Sequence, residues 1–254
     1  MHLSLFHCYF LGVLGVLCGS LAPITSETVA LRSGKDTVKG FLYRPEGKGP
    51  FPAIVILHGD FGPTEWIKKQ AQRLAARGYL TLAIDLYRGE MPKDVEEAHI
   101  LERALPEERV SRDLKSAVDH LAASPLVRKD RVGILGWDMG GGYALDGAIH
   151  DPRLRASVIC YGRLRTDAKL LAKMSSSVLG IFAGADEGIS ADTIKQFQKA
   201  MTKAGKRVTI NVIPGVGSGF MDPASPYLSR TTPPDVIADA WRRIDAYLDA
   251  ELKK

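Results

Sequence analysis

Five residues, Gly136-Trp-Asp-Met-Gly140, set a carboxylate between two glycines in the G-x-nucleophile-x-G frame. The run before them, Arg131-Val-Gly-Ile-Leu-Gly136, is short and apolar and predicts a buried strand. The run after them, Tyr143–Ile149, predicts a helix. Such a turn holds its central side chain clear of the backbone in a strained conformation. The glycines belong there because a Cβ would strike the neighbouring strand and helix. The free N–H groups of the following helix suit a developing oxyanion. The chemistry on offer is attack on an electrophilic carbon, with Asp138 in the attacking place. A glycine-rich turn with no chemistry is the alternative reading of the same spacing.

The elements that must position this turn alternate along the chain. Strands are predicted at Thr28–Leu31, Val38–Tyr43, Phe51–Leu57, Leu80–Asp85, the elbow run, Ala156–Tyr161, Ser177–Phe182 and Val208–Ile213. Helices are predicted at Glu65–Gly78, Val95–Ala104, Glu107–Ala123, Ala191–Ala204 and Pro234–Leu252. Trp66, Ala71, Leu74 and Ala75 fall near helical spacing, and Gly78 marks a C-terminal stop. Strand–helix alternation argues an α/β class with a mainly parallel sheet covered on both faces. With 254 residues, 45% of them hydrophobic, and no repeat or linker, one domain spanning residues 27–254 is expected.

Residues 1–22 read differently. Leu3–Leu17 is almost wholly apolar, and no acidic or basic side chain precedes Glu27 and Arg32. About 15 apolar residues is signal-peptide length and short for a spanning helix. Export to the periplasm or exterior is the expectation, with no membrane contact in the mature form unless the segment is retained as an anchor. Small residues at Cys18-Gly-Ser20 and at Ala22 leave the cleavage position open. Cys160 is then the one cysteine of the mature chain, which excludes an intramolecular disulfide and a cysteine zinc site. The net charge of +5 is spread along the chain, without a nucleic-acid module. Neither a cofactor nor a metal is called for, and a small-molecule ligand or substrate is the expected partner.

From about Leu31 onward the sequence resembles the dienelactone hydrolase family of α/β-hydrolases. The matching stretches are Ala53-Ile-Val-Ile-Leu-His-Gly-Asp-Phe-Gly62, Leu74–Tyr87, the elbow, Phe182-Ala-Gly-Ala-Asp-Glu187 and Ile213–Asp222, followed by the final helix with Ala240-Trp241. The resemblance implies one α/β-hydrolase domain with a mostly parallel eight-stranded sheet. It implies a Cys-His-Asp triad, in which the histidine takes the nucleophile's proton and the acid fixes its tautomer. Asp186 falls on the acid position. Asp138 stands at the nucleophile position in place of cysteine, and Ser218, in Gly217-Ser-Gly-Phe220, at that of the histidine. The carboxylate that activates the family's thiol maps to Gly59. The oxyanion donors would be the N–H of Met139 and that of Asp60 or Phe61. Arg88 is near the position of a substrate-binding arginine, and His58, which borders the oxyanion loop and would order it by hydrogen bonding, is the other expected substrate-binding residue.

No histidine follows Asp186. His99 and His120 lie on predicted helices and His150 at a helix end, where solvated roles are expected. Two readings compete. One is a non-catalytic or weakly active descendant that keeps the pocket. The other is an active hydrolase of small esters or lactones with Asp138 as nucleophile, as in superfamily members that form an alkyl-ester intermediate. Those members need a base to free the ester, and such assistance contributes about 10²–10⁴-fold. Asp138 and Asp186 facing one shielded site would also disfavour joint ionisation, so that one of them holds its proton.

Overall fold

A computed structural model describes residues 24–228 and 231–254. The signal-peptide reading of residues 1–22 lies outside them. Eight strands form one sheet in the order β1-β2-β4-β3-β5-β6-β7-β8. Here β1 is Thr25–Ser33, β2 Asp36–Arg44, β3 Phe51–Leu57, β4 Leu80–Ile84, β5 Val127–Trp137, β6 Leu154–Cys160, β7 Ser177–Ala183 and β8 Val208–Ile213. The β1–β2 and β2–β4 pairs are antiparallel and the rest are parallel. Central strands β3, β4 and β7 are buried along nearly their whole length, as expected of apolar runs covered on both faces. The eight strands and their order of appearance agree with the sequence expectation. β1 is longer at both ends, because its exposed residues still pair with β2 through backbone hydrogen bonds.

Helices cover the two faces. On one side lie α1 (Glu65–Ala76) and α7 (Pro234–Leu252), which bury Ile67, Leu74, Ile244 and Leu248 against Ile54, Leu135 and Val158. An ion-pair set joins these helices: Arg73 to Asp245 at 2.5 Å and Arg77 to Asp249 at 2.9 Å. On the other side lie α3 (Glu107–Ala123), α4 (Met139–His150) and α6 (Ala191–Lys203), with Leu114, Ala144 and Phe197 in the core. Two more helices complete the order, α2 (Val95–Ala104) and the short α5 (Ala168–Leu171), the latter not foreseen from sequence. Helix α1 starts at Thr64, whose Oγ1 accepts from the N–H of Ile67, and α2 starts at Asp94, whose carboxylate accepts from Glu97. Helix α4 begins at Met139, four residues before the sequence pattern suggests, because three glycines there dilute the helical signal without preventing the turn.

Candidate active site

The elbow lies where β5 hands over to α4, at the carboxyl edge of the parallel strands. Asp138 has φ +53° and ψ −123°, a backbone conformation that L-residues rarely adopt. Its N–H donates to the Cys160 carbonyl at 2.9 Å, and its carbonyl accepts from Gly141 at 2.9 Å. The glycine requirement is steric. A Cβ on Gly136 would stand 2.1 Å from the Gly140 oxygen, and one on Gly140 would stand 2.3 Å from the His58 oxygen. No larger residue fits at either position, which is how the frame holds residue 138 above the sheet.

A cavity of about 440 Å³ opens above Asp138. Its walls come from the loop after β3 (Gly59–Gly62), the start of α1, the elbow and the loop after β8. Asp60, 5% exposed, is hydrogen-bonded to the Asp138 carboxyl. Burial and the facing Asp60 carboxylate push the Asp138 carboxyl up to about 8, with smaller contributions from Glu102 and Asp186. At neutral pH Asp138 is therefore mainly the neutral acid. Tyr227 donates a hydrogen bond to Asp60, and its hydroxyl also meets His99 Nε2 at 3.3 Å, with the two rings stacked. Glu102, one turn along α2 from His99, is likewise raised by burial and by Asp60. The sequence reading missed Asp60 as a partner of Asp138, and missed Tyr227, His99 and Glu102. Their signal is long-range: 167 residues separate Tyr227 from Asp60.

The other expected positions are distributed as follows. The loop carrying Asp186 is tied to the loop carrying Ser218 by Gly184 N–H to Ile213 O at 2.7 Å and Ala185 N–H to Val216 O at 2.9 Å. Asp186 accepts from the N–H groups of Gly188 and Ile189, so one carboxylate oxygen shapes its own loop while the other is buried and unpaired. Neither Asp186 nor Ser218 lines the cavity. The N–H groups of Met139, Asp60 and Phe61 donate to no protein acceptor among the described residues.

Three expectations are corrected. Arg88 does not border the cavity: its guanidinium pairs at 2.7 Å with Asp113, which is fully buried on α3. His58 is also fully buried and cannot touch a ligand. Its Nδ1 meets the Gly59 carbonyl at 2.5 Å and its Nε2 accepts from the N–H of Leu86 at 3.1 Å. Burial lowers its proton affinity, which suits the neutral ring as a brace between the loops after β3 and β4. His99, expected on a solvated face, is instead packed on Tyr227 beside the site. Cys160 is buried and its thiol is pushed up by burial, so it is inert.

Comparison with known proteins agrees with this architecture. The dienelactone hydrolase family model matches residues 38–252, and the chain belongs to that family. A Methylorubrum extorquens protein provisionally named a carboxymethylenebutenolidase is 33% identical over 79% of this chain and 72% of its own. A Bradyrhizobium protein named as a probable 2-oxo-3-(5-oxofuran-2-ylidene)propanoate lactonase is 29% identical over 89% and 94%. Among solved structures, a provisionally named dienelactone hydrolase of Klebsiella pneumoniae superposes with a TM-score of 0.80 at 25% identity, covering 89% of this chain and 98% of the other.

Proposed function

We propose that this chain is a dienelactone hydrolase-family protein that keeps a small-molecule pocket above the elbow but has lost the covalent hydrolytic cycle, leaving weak turnover or none. The observation that carries this reading is the partner of residue 138: it faces the carboxyl of Asp60, where the family chemistry needs a histidine. A protonated carboxyl is a poor nucleophile, and the histidine position implied by the family resemblance falls on Ser218. What survives is the pair of loops that would offer N–H groups to an oxyanion, from Met139 and from Asp60 or Phe61. In triad enzymes such a remainder is worth about 10³–10⁴ over water. The relatives named for lactone hydrolysis support an ester or lactone as the ligand's functional group.

Those same unengaged N–H groups favour a second reading, in which Asp138 attacks once deprotonated. Hydrolysis of p-nitrophenyl acetate between pH 6 and 10 separates the two. We expect little turnover, and a change of less than about tenfold in Asp138→Ala, an energy near 1.4 kcal/mol. Robust turnover that rises through pH 8 and vanishes in Asp138→Ala would establish aspartate as nucleophile. The apolar run Leu3–Leu17 supports export, which N-terminal sequencing of the chain recovered from a periplasmic fraction would test.

A further inference from the structure

We propose that the amino edge of the sheet, the edge remote from the elbow, is a docking face for an anionic lipid surface. Nothing in this depends on what the pocket binds. It departs from the expectation of a mature chain without membrane contact, because charge that is spread along the sequence is gathered by the fold.

The parallel strands all start at this edge, and the helices between them return to it. Lys48 precedes β3, Lys129 and Arg155 stand near the starts of β5 and β6, Lys173 precedes β7, and Lys203 ends α6 before β8. All five are exposed, and none has a carboxylate partner among the described ion pairs. Lys129 and Arg155 share one recess of about 400 Å³ with Arg131 and Arg153. The carboxylates of this edge are mostly taken: Asp119 and Asp151 by Arg153 at 2.8 and 2.5 Å, Asp249 by Arg77 at 2.9 Å, and Glu251 by Arg207 at 2.7 Å. Asp130 lies 3.6 Å from Arg131, and Glu27 and Glu46 remain at the β1–β2 end. Residues 1–23 and 229–230, outside the described ones, contain no Asp or Glu that could offset this excess. A helix C-terminus favours a basic residue for its own dipole, which accounts for Lys203. Lys48, Lys129 and Arg155 lie before or within strands and have no such reason.

The place where the described chain begins identifies the occupant. Thr25 of β1 pairs with Arg44 at the end of β2, and Tyr43 pairs with Thr81 at the start of β4, so β1 begins at this same edge. Residues 1–23, with the apolar run Leu3–Leu17, therefore join the fold at its basic face. Residues 18–23 connect that run to Ile24 with a reach of at most about 25 Å. A chain held in a bilayer by the run presents this face to the headgroups, and after cleavage the face remains, since residues 24–254 build it. Each Lys or Arg near an anionic leaflet favours binding by about fivefold, over about a Debye length. From Lys129 to Asp138, at about 3.3 Å per strand residue, is about 30 Å. A docked chain thus keeps the elbow cavity open to solution.

Sedimentation of the full chain with vesicles tests this, using phosphatidylcholine alone and phosphatidylcholine with about one-third phosphatidylglycerol. A retained apolar run enters both lipids alike and drops out of the ratio. The anionic vesicles should be bound at least about tenfold tighter in about 0.05 M salt, and the preference should vanish in about 0.5 M. The triple change Lys129→Gln, Arg155→Gln and Lys203→Gln should bring the ratio to within about twofold of unity. Lys69→Gln, Lys93→Gln and Lys169→Gln together remove the same charge from elements that follow the elbow edge, and should leave the preference within about twofold of native. Equal binding of the two vesicles, or equal loss in the two triple variants, would overturn the docking face. A DNA duplex that displaces the chain from anionic vesicles at matched phosphate would overturn lipid as its occupant. Should the first triple variant fail to fold, the lipid and salt dependence of the native chain decides alone.

Discussion

The Asp138 carboxyl gives a stability test that needs no ligand. Its folded-state value of about 8 stands some four pH units above its ordinary 3.8. Below pH 4 the acid is neutral in folded and unfolded chains alike, and nothing is lost. As pH rises through the interval, the unfolded chain releases the proton and the folded chain holds it, so folding stability falls until about pH 8. At about 1.4 kcal/mol per pH unit the loss is about 3 kcal/mol at pH 6 and on the order of 5 kcal/mol at pH 8. Asp138→Asn preserves shape and can still donate to Asp60, but does not titrate. Asparagine is also among the few residues that tolerate a positive φ. The variant should match the native chain near pH 4 and exceed it by a margin that grows to pH 8. For a domain of this size that margin is a Tm difference of about 10 °C or more. Urea titrations followed by tryptophan fluorescence at pH 4, 6 and 8 would measure it. A difference between variant and native chain that does not change with pH would show that Asp138 ionises normally, and the argument from its protonated state would fail.

Filling the two triad positions that the family resemblance assigns, Asp138→Cys with Ser218→His, should raise hydrolysis of p-nitrophenyl acetate about 100-fold above either single change, because nucleophile and base act as a unit. If the double variant stays at the level of the singles, residue 218 does not reach the elbow from its loop. Arg88→Met leaves the fully buried Asp113 without its cation and should destabilise the fold by about 3–5 kcal/mol in chemical denaturation, with ligand affinity unchanged. Lost affinity at unchanged stability would instead return Arg88 to the pocket. Tyr227→Phe removes the donor to Asp60 and should lower stability by about 1.5–3 kcal/mol, the usual range for a hydrogen bond to a charged group. A loss under about 0.5 kcal/mol would show that water replaces the hydroxyl.

What the sequence made legible was whatever is encoded locally. The runs that became β3, β4 and β7 are apolar because both faces of those strands are covered, so composition alone marks them. The elbow is legible because sterics at Gly136 and Gly140 allow nothing else. The surroundings of Asp138 were not legible, because they are assembled from α2, the loop after β3 and the loop after β8. His99 sits on a helix whose pattern reads as solvated, and only the docking of Tyr227 brings it to the site. Arg88 misled for the related reason that position in a loop does not fix direction, and a buried carboxylate on α3 outcompetes a ligand for it. The carboxyl at residue 60 completes this logic. The family resemblance places the activating carboxylate at position 59, where this chain has glycine. A Cβ there would lie 3.4 Å from the Asp138 Cβ. On the proposed reading the acid has in effect moved one residue along the loop, where it no longer activates a thiol and instead holds a proton with the aspartate at the elbow. On the reading proposed above, replacement of the nucleophile, absence of the histidine and this displaced acid are one coherent change, from a site that forms a covalent bond to one that presents paired carboxyls to a ligand.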